Sequence, residues 1–194
     1  MPFLLTRRRT LVRLSDERYE EIKEEVVELY KELHITKFPV NAMDVCKQLG
    51  IAYKTYNQFT PITFAAVIRA SEDGMVAEID NQFVIFYNPS KSAERIRSTF
   101  FHEIGHIRLR HKIHDEENEA EANFFASYFL APAPLIHYFG LSFAQEIMNK
   151  FWVTFSLANY SLDRYQKWFR YSGSSFTQYE KDLIELAKEG DAAN

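Results

Sequence analysis

Two histidines and a glutamate stand at metal-site spacing in the middle of this chain, in the run His102-Glu103-Ile104-Gly105-His106. On a helix, side chains four residues apart lie on one face with Cβ atoms about 5 to 6 Å apart, so two imidazoles can meet one metal ion. Glu103 points away from that pair, where a carboxylate can hold a water molecule and accept its proton. The pattern is typical of zinc-dependent peptidases, in which the histidines bind the metal and the glutamate is the general base.

A third protein ligand is expected downstream, because catalytic zinc sites usually have three. The segment 115–123 offers several carboxylates, and their positions around a helix distinguish them. Glu119 shares a face with small residues that permit close helix packing, whereas Glu121 shares its face with aromatic side chains. Glu119 is therefore the predicted third ligand. Asn123, one turn further on, is predicted to hydrogen-bond to a ligand and fix its orientation.

Two further features favour a metal site built from histidine and glutamate. Gly105 inside a helix costs about 1 kcal/mol relative to alanine unless close packing requires the missing side chain, so we expect another element to pass near it. Cys46 is the only cysteine, which excludes an internal disulfide and a cysteine-rich metal cluster. Zinc is the expected cofactor, with manganese and iron as alternatives.

The elements that must position these residues follow from the apolar pattern. Ser15 is a candidate N-cap for a long helix whose apolar residues recur at three- and four-residue steps. The pairs Asp73-Gly74 and Asp80-Asn81 have the spacing of hairpin turns, so the three strands beside them are expected to form an antiparallel meander. The predicted strands, all rich in β-branched and aromatic residues, are 51–56, 64–69, 75–79 and 83–87.

The second half of the chain is predicted to be helical, with Pro132 and Pro134 ending one of the helices. The expected fold class is α+β: a small antiparallel sheet packed with the HExxH helix and a second metal-ligand helix, followed by a helical C-terminal unit. The predicted helices are 92–112, 115–130, 142–150, 154–171 and 176–189. The predicted domains are an N-terminal arm and helix (1–38), a metallopeptidase domain (39–132) and a helical C-terminal unit (133–194), which the family resemblance below describes as helix-turn-helix-like.

Charge and hydropathy limit the partners. A net charge of −4 gives no overall field for nucleic acid or anionic lipid, which argues against direct nucleic-acid binding. No apolar run approaches the length of a membrane span, and residues 1–14 lack the order of a secretory signal, so a cytoplasmic protein is expected. Arg7, Arg8, Arg9 and Arg13 form a basic arm, for which a solvated terminus is favoured over contact with DNA or a partner.

At the residues of the proposed site the sequence resembles the ImmA/IrrE family of metallopeptidases. That family pairs an HExxH helix with a following helix of the pattern E-x-x-A-N-x-F-A-x-x-L-L-x-P, and residues 119–132 here are EAEANFFASYFLAP. The family's R-x-R-F-T before the first helix is matched by residues 95–99, RIRST, with Ser98 in place of the usual aromatic. Phe101 is also bulkier than the small residue common before the first histidine.

The resemblance extends from about Pro39 to about Trp168 and includes the C-terminal helices. Residues 147–164 are similar to the family's short helix-turn-helix-like unit, with Trp152 in place of the usual turn glycine. The chain is nearer in size to the mobile-element members than to the radiation-response members, which have an additional C-terminal sensor domain.

The resemblance implies a cytoplasmic endopeptidase whose protein substrate is a partner repressor, often one with a helix-turn-helix domain. Cleavage would relieve repression of mobile-element or stress genes. The alternative is a non-catalytic, metal-stabilised regulatory module that binds a repressor or DNA without cutting. For catalysis, an extended substrate is expected to pair with the strand 83–87 at a sheet edge. The candidate oxyanion donors are His111, His114, Tyr128 and Tyr138.

Overall fold

The computed structural model describes residues 12–113, 115–172 and 175–192. Three strands and a set of helices form an α+β fold, as expected. Arg7, Arg8, Arg9 and His114, discussed above, lie outside the described residues. The elements are α1 (Asp16–Glu32), α2 (Ala42–Gln48), β1 (Ala52–Thr55), α3 (Pro61–Ala70), β2 (Gly74–Ile79), β3 (Gln82–Tyr87), α4 (Ala93–Arg108), α5 (Glu116–Leu130), α6 (Ala133–Tyr138), α7 (Ala144–Phe151), α8 (Phe155–Ser172) and α9 (Gln178–Ala192).

Short polar side chains begin the helices that position the site. The Ser15 hydroxyl accepts a hydrogen bond from the backbone N–H of Arg18, which confirms the predicted start of α1. Ser92 begins α4 in the same way, and the Asp115 carboxylate begins α5 by accepting from the N–H of Asn118. Each cap satisfies a backbone donor that the first helical turn leaves without a partner, so the starts of α4 and α5 are locally encoded.

The sheet is mixed rather than antiparallel. Strand β3 lies in the middle of the order β1-β3-β2, antiparallel to β2 and parallel to β1. Asp80 and Asn81 have φ angles of 51° and 61° and form the predicted hairpin turn between β2 and β3. The predicted meander is nevertheless wrong. The prediction that β3 offers a free edge is also wrong, because both of its sides are paired.

The error arose from residues 64–69, which were predicted as a strand and lie within α3. Thr60 caps this helix and Pro61 occupies its first position, where the missing N–H of proline has no cost. The apolar residues Phe64, Val67 and Ile68 recur at helical spacing and pack on the sheet. For so short an apolar run, β-branched composition does not distinguish helix from strand, and the Thr-Pro start signal was the decisive feature.

Helices cover both faces of the sheet because alternate side chains of β3 point in opposite directions. Val84 and Phe86 pack with Val67 of α3 on one face. Ile85 points to the other face and joins the main core, which also contains Phe100 and Ile104 of α4. The sheet therefore supports α4, the helix with the paired histidines, from one side.

Aromatic stacking holds α4 against α5 and α1. The rings of Phe101 and Phe129 are stacked with centroids 4.2 Å apart, so the bulky residue before His102 fills the space between α4 and α5. Tyr30 of α1 packs against Phe129 and donates its hydroxyl hydrogen to the Phe129 carbonyl over 2.6 Å. One cluster of buried apolar residues extends from α1 to α9. The division of the chain at residue 132 remains a proposal.

Helix α6 was not predicted, because Pro132 and Pro134 were taken only as helix breakers. Pro132 ends the path of α5 and is the N-cap of α6, whereas Pro134 lies in the first turn of the new helix. There a proline ring is compatible with helical φ and its absent N–H is not needed.

Among the described residues, no helix is long and apolar enough to cross a bilayer.

A buried arginine fixes the turn between α7 and α8. Trp152 ends α7 in the left-handed region, with φ 49° and ψ 59°, so it adopts the backbone shape that a turn glycine would provide. The guanidinium of Arg97 donates to the carbonyl oxygens of Phe151 and Trp152 over 2.6 and 2.7 Å and to that of Val40 over 2.8 Å. Burial lowers the pKa of Arg97 to about 10. One side chain of α4 thus satisfies three carbonyls from two other segments.

We expect Arg97→Met to lower the free energy of unfolding by about 2 to 4 kcal/mol, because it leaves buried carbonyls without donors. The matched control is Arg95→Met on the same helix, whose exposed guanidinium pairs with Asp73. This change should cost less than about 1 kcal/mol, as is usual for a surface ion pair. Urea denaturation of both variants checks the difference. Equal losses would show that Arg97 does not have the structural role described.

Candidate metal centre

His102 and His106 lie one turn apart on α4 and point their rings to the same place. Their Nε2 atoms are 3.1 Å apart. The side chain of His106 is 4% exposed and that of His102 is 19% exposed, so His106 is buried and His102 is partly open to solvent. Helical spacing alone produces this convergence, as the sequence predicted.

Glu119 reaches the same point from the first turn of α5. Its Oε2 lies 3.4 Å from Nε2 of His102 and its Oε1 lies 3.4 Å from Nε2 of His106. The three residues offer ligand atoms that all lie within 4.8 Å of one another. The structure therefore brings together the three side chains that were predicted as metal ligands, although their role as ligands remains a prediction.

The spacing of these atoms suits a small divalent ion. Ligand bonds of about 2.0 to 2.2 Å at tetrahedral angles require donor atoms about 3.3 to 3.6 Å from one another. The separations of 3.1 and 3.4 Å are close to that value. Two imidazole nitrogens and one carboxylate are also a usual donor set for catalytic zinc. The side chain of Glu119 is 43% exposed, which leaves the centre open on the side of α5.

Gly105 permits the close approach of α5 that places Glu119 at the site. A Cβ atom at position 105 would lie 3.2 Å from three atoms of Phe125, including its Cβ. Phe125 is fully buried, so the obstacle could not turn away into solvent. The expectation that another element passes close to Gly105 is confirmed, and the element is the helix that contains Glu119.

Charge within the cluster favours an ionised Glu119. Hydrogen bonds to His102 and His106 hold the pKa of the Glu119 carboxyl well below its ordinary value. Burial lowers the pKa of His102, but the hydrogen bond to Glu119 and the charges of Glu103 and Glu119 together raise it above its ordinary value. The site therefore has a negative potential, which attracts a cation.

Glu103 follows His102 on α4 and is buried beside the cluster. Its charge contributes to the raised pKa of His102. The pKa of Tyr56 is raised to about 12, mainly by burial, and the charge of Glu103 adds to that increase. The carboxylate is thus close enough to both rings to act on them through space. Its burial directly after His102 on α4, outside the three-residue cluster, is compatible with the general-base role predicted for Glu103.

The remaining predicted residues differ in their surroundings. Hydrogen bonding from the Asn123 side chain adds, as the smallest contribution, to the raised pKa of His102, which is compatible with the orienting role predicted for Asn123. Of the oxyanion candidates that the structure describes, Tyr138 donates to Asp191 over 3.0 Å. Tyr128 is buried on the far part of α5, where its ring stacks with Phe124. Neither tyrosine contacts the candidate metal cluster, so the structure does not support either as the oxyanion donor.

Three residues near the site were not recognised as a group from the sequence. His111 contacts the back of His106, Glu121 contacts His111, and Arg18 of α1 contacts Glu121. His111 was considered as an oxyanion donor, but both its ring nitrogens face these neighbours. Glu121 was set aside for its aromatic neighbours. No regular spacing relates the three, and Arg18 and Glu121 are 103 positions apart, so the sequence alone carried no signal that would have grouped them.

A carboxylate and an HExxH pair on two adjacent helices, with a second glutamate beside them, form the metal centre of a metallopeptidase. Comparison with known families agrees. The IrrE N-terminal-like domain family matches residues 67–163, half of the chain, including both site helices. The chain belongs to this ImmA/IrrE family of metallopeptidases. A comparison with curated proteins finds no match.

We expect Glu119→Ala to weaken zinc binding by more than about 100-fold, because loss of a ligand should exceed the 10- to 100-fold effect of losing an outer partner. The matched control is Glu117→Ala, an exposed carboxylate in the same turn of α5. Its zinc affinity should equal that of the unmodified protein. Competition titration with a chromogenic chelator measures both. If the two variants bind zinc equally well, Glu119 is not a ligand.

Proposed function

We propose that this protein is a zinc-dependent endopeptidase that acts in the cytoplasm on a partner transcriptional repressor. Cleavage of a repressor with a helix-turn-helix domain would relieve repression of mobile-element or stress genes. The main observation behind the peptidase assignment is the meeting of His102, His106 and Glu119 with Glu103 buried beside them. The repressor as substrate is supported by the family resemblance, since the family as such implies only a protein substrate.

In the proposed mechanism, His102, His106 and Glu119 would hold the metal, and Asn123 would orient His102. A bound divalent ion supplies Lewis-acid polarisation of the scissile carbonyl and of the attacking water. Glu103 accepts a proton from that water during attack and then donates it to the leaving amine. Because Glu103 is buried, its carboxylate is held in place before substrate arrives. Manganese or iron could occupy the same donor set.

An extended substrate can bind by adding a strand to a sheet edge, which requires only backbone hydrogen bonds. Among the described strands, β1 and β2 have the outer edges. The start of β2 lies against α4, where Gly74 would place any Cβ in contact with Thr99, one turn before Glu103. We therefore assign the substrate to the edge of β2. Backbone pairing of this kind gives weak sequence preference, so recognition of the repressor would depend on further contacts.

The substrate is tested by incubating the purified protein with the repressor encoded beside its gene, followed by mass spectrometry of the fragments. Cleavage at a defined bond that a chelator prevents, and that added zinc restores, would support the proposal. An intact repressor in the presence of zinc-loaded protein would exclude this repressor as the substrate. Cleavage that persists in the chelator, with no metal retained by the protein, would contradict a metal-dependent reaction.

We expect Glu103→Gln to lower kcat/KM by about 10²- to 10⁴-fold, the usual contribution of a general base. Zinc content should remain unchanged, since Glu103 is not a proposed ligand. Glu94→Gln, which changes a partly exposed carboxylate in the first turn of the same helix, is the matched control and should retain full activity. The measurement is the rate of repressor cleavage at known zinc loading. A fully active Glu103→Gln variant would refute the assigned base.

A regulator that binds DNA or a repressor without cutting is the second candidate. The observation in its favour is the left-handed backbone of Trp152, which gives the α7–α8 turn the shape that glycine would allow. The net charge of −4 argues against DNA binding. A salt-dependent DNA-binding assay separates the candidates: tight, salt-sensitive binding together with a catalytically inert protein would favour the regulator.

A further inference from the structure

A chain of hydrogen bonds runs from the back of His106 to the first helix. Nδ1 of His106 lies 2.9 Å from Nδ1 of His111. Nε2 of His111 lies 3.0 Å from Oε2 of Glu121. Arg18 donates from Nε to Oε1 of Glu121 over 2.7 Å and from Nη2 to Oε2 over 2.5 Å. The side chains of His111 and Glu121 are 5% and 8% exposed, so solvent does not compete strongly for these bonds.

The end of α4 places His111 in this chain. Arg110 has φ 59°, and its N–H donates to the carbonyl of Ile107 over 3.1 Å. The N–H of His111 donates to the carbonyl of His106 over 3.0 Å. These two bonds form a Schellman motif, which reverses the chain at the helix end. The reversal returns His111 to the face of α4 that contains His106, although five residues separate the two.

The directions of the bonds are fixed by the acceptor at the far end. The Glu121 carboxylate accepts two hydrogen bonds from Arg18 and faces Nε2 of His111, so it is the acceptor toward that ring. His111 must then donate from Nε2, which leaves its Nδ1 as an acceptor when the ring is neutral. A His106 ring that binds a metal through Nε2 has its proton on Nδ1, and that atom faces Nδ1 of His111 at 2.9 Å. His106 therefore donates from Nδ1, and its Nε2 lone pair is directed toward His102 and Glu119.

We propose that His111 and Glu121, held by Arg18, are positioning residues that fix His106 in the tautomer and ring orientation needed to bind the metal through Nε2. The inference rests on the proposed role of His106 as a ligand and deepens it. Ligand histidines in metal sites are commonly oriented by an acceptor at the other ring nitrogen. Here the acceptor is His111. The negative charge comes from the Glu121 carboxylate, which is connected to His106 through two successive hydrogen bonds.

The first test uses the unmodified zinc-loaded protein and the ¹⁵N–¹H correlations of its histidine rings. We expect His106 to have its proton on Nδ1 with the metal at Nε2, and His111 to have its proton on Nε2. Residues that only filled space would not fix these two tautomers in this combination. A proton on Nδ1 of His111, or a His106 ring bound through Nδ1, would overturn the proposal. This measurement does not depend on any variant being folded.

The second test measures zinc affinity by chelator competition in variants at position 111. His111→Phe keeps a ring of similar size but removes the acceptor, and should weaken zinc binding by about 10- to 100-fold. His111→Asn places an amide oxygen at the position of Nδ1 and should restore most of that loss. Glu121→Gln, which keeps the shape but removes the charge, should weaken zinc binding by a smaller factor.

The matched control is Glu25→Gln. Glu25 of α1 pairs with Arg108 of α4 over 2.7 Å, so the change removes an ion pair between helices without touching the histidines. Its zinc affinity should be that of the unmodified protein. A folded His111→Phe variant with unchanged affinity would overturn the inference while the proposed function remained intact. If instead the unmodified protein binds no zinc at this site, the proposed function fails and the inference fails with it.

Discussion

The close approach of α4 and α5 at Gly105 is the constraint on which the site depends. Two histidines on one helix provide only part of a metal site, and the third donor comes from another helix whose distance is set by packing. The absence of a side chain at position 105 lets Phe125 lie against the backbone of α4. Stacking of Phe101 on Phe129 then holds the two helices together over the following turns. The geometry of the candidate metal centre is thus a result of apolar packing.

Helix α1 links the two site helices from outside. Arg18 of α1 pairs with Glu121 of α5 at one end, and Glu25 and Glu32 of α1 pair with Arg108 of α4 at the other. Tyr30 adds a hydrogen bond to the carbonyl of Phe129. These contacts connect α1 to both helices of the candidate metal centre. The polar face of α1 thus contacts both helices that carry the candidate ligands.

The candidate ligands and the proposed base differ in solvent exposure in a way that suits catalysis. Glu119 is partly open to solvent, whereas His106 and Glu103 are buried. A substrate could therefore approach from the side of α5 without displacing Glu103, the proposed base. Burial also strengthens the electrostatic influence of Glu103 on its neighbours. The same helix, α4, satisfies carbonyls of the α7–α8 turn through Arg97, so the metal centre and the C-terminal helices share one support.

The sequence by itself determined the HExxH helix, the choice of Glu119 and the caps of the main helices, because these depend on spacing along one helix or on contacts between residues three or four apart. It also indicated through Gly105 that another helix lies close by. It failed at residues 64–69, where composition favoured a strand and the helix start at Pro61 decided otherwise, and hence on the sheet order. Only the tertiary structure showed β3 at the centre and joined Arg18, Glu121 and His111 behind His106, because contacts between residues up to 103 positions apart leave no periodic pattern in a single sequence.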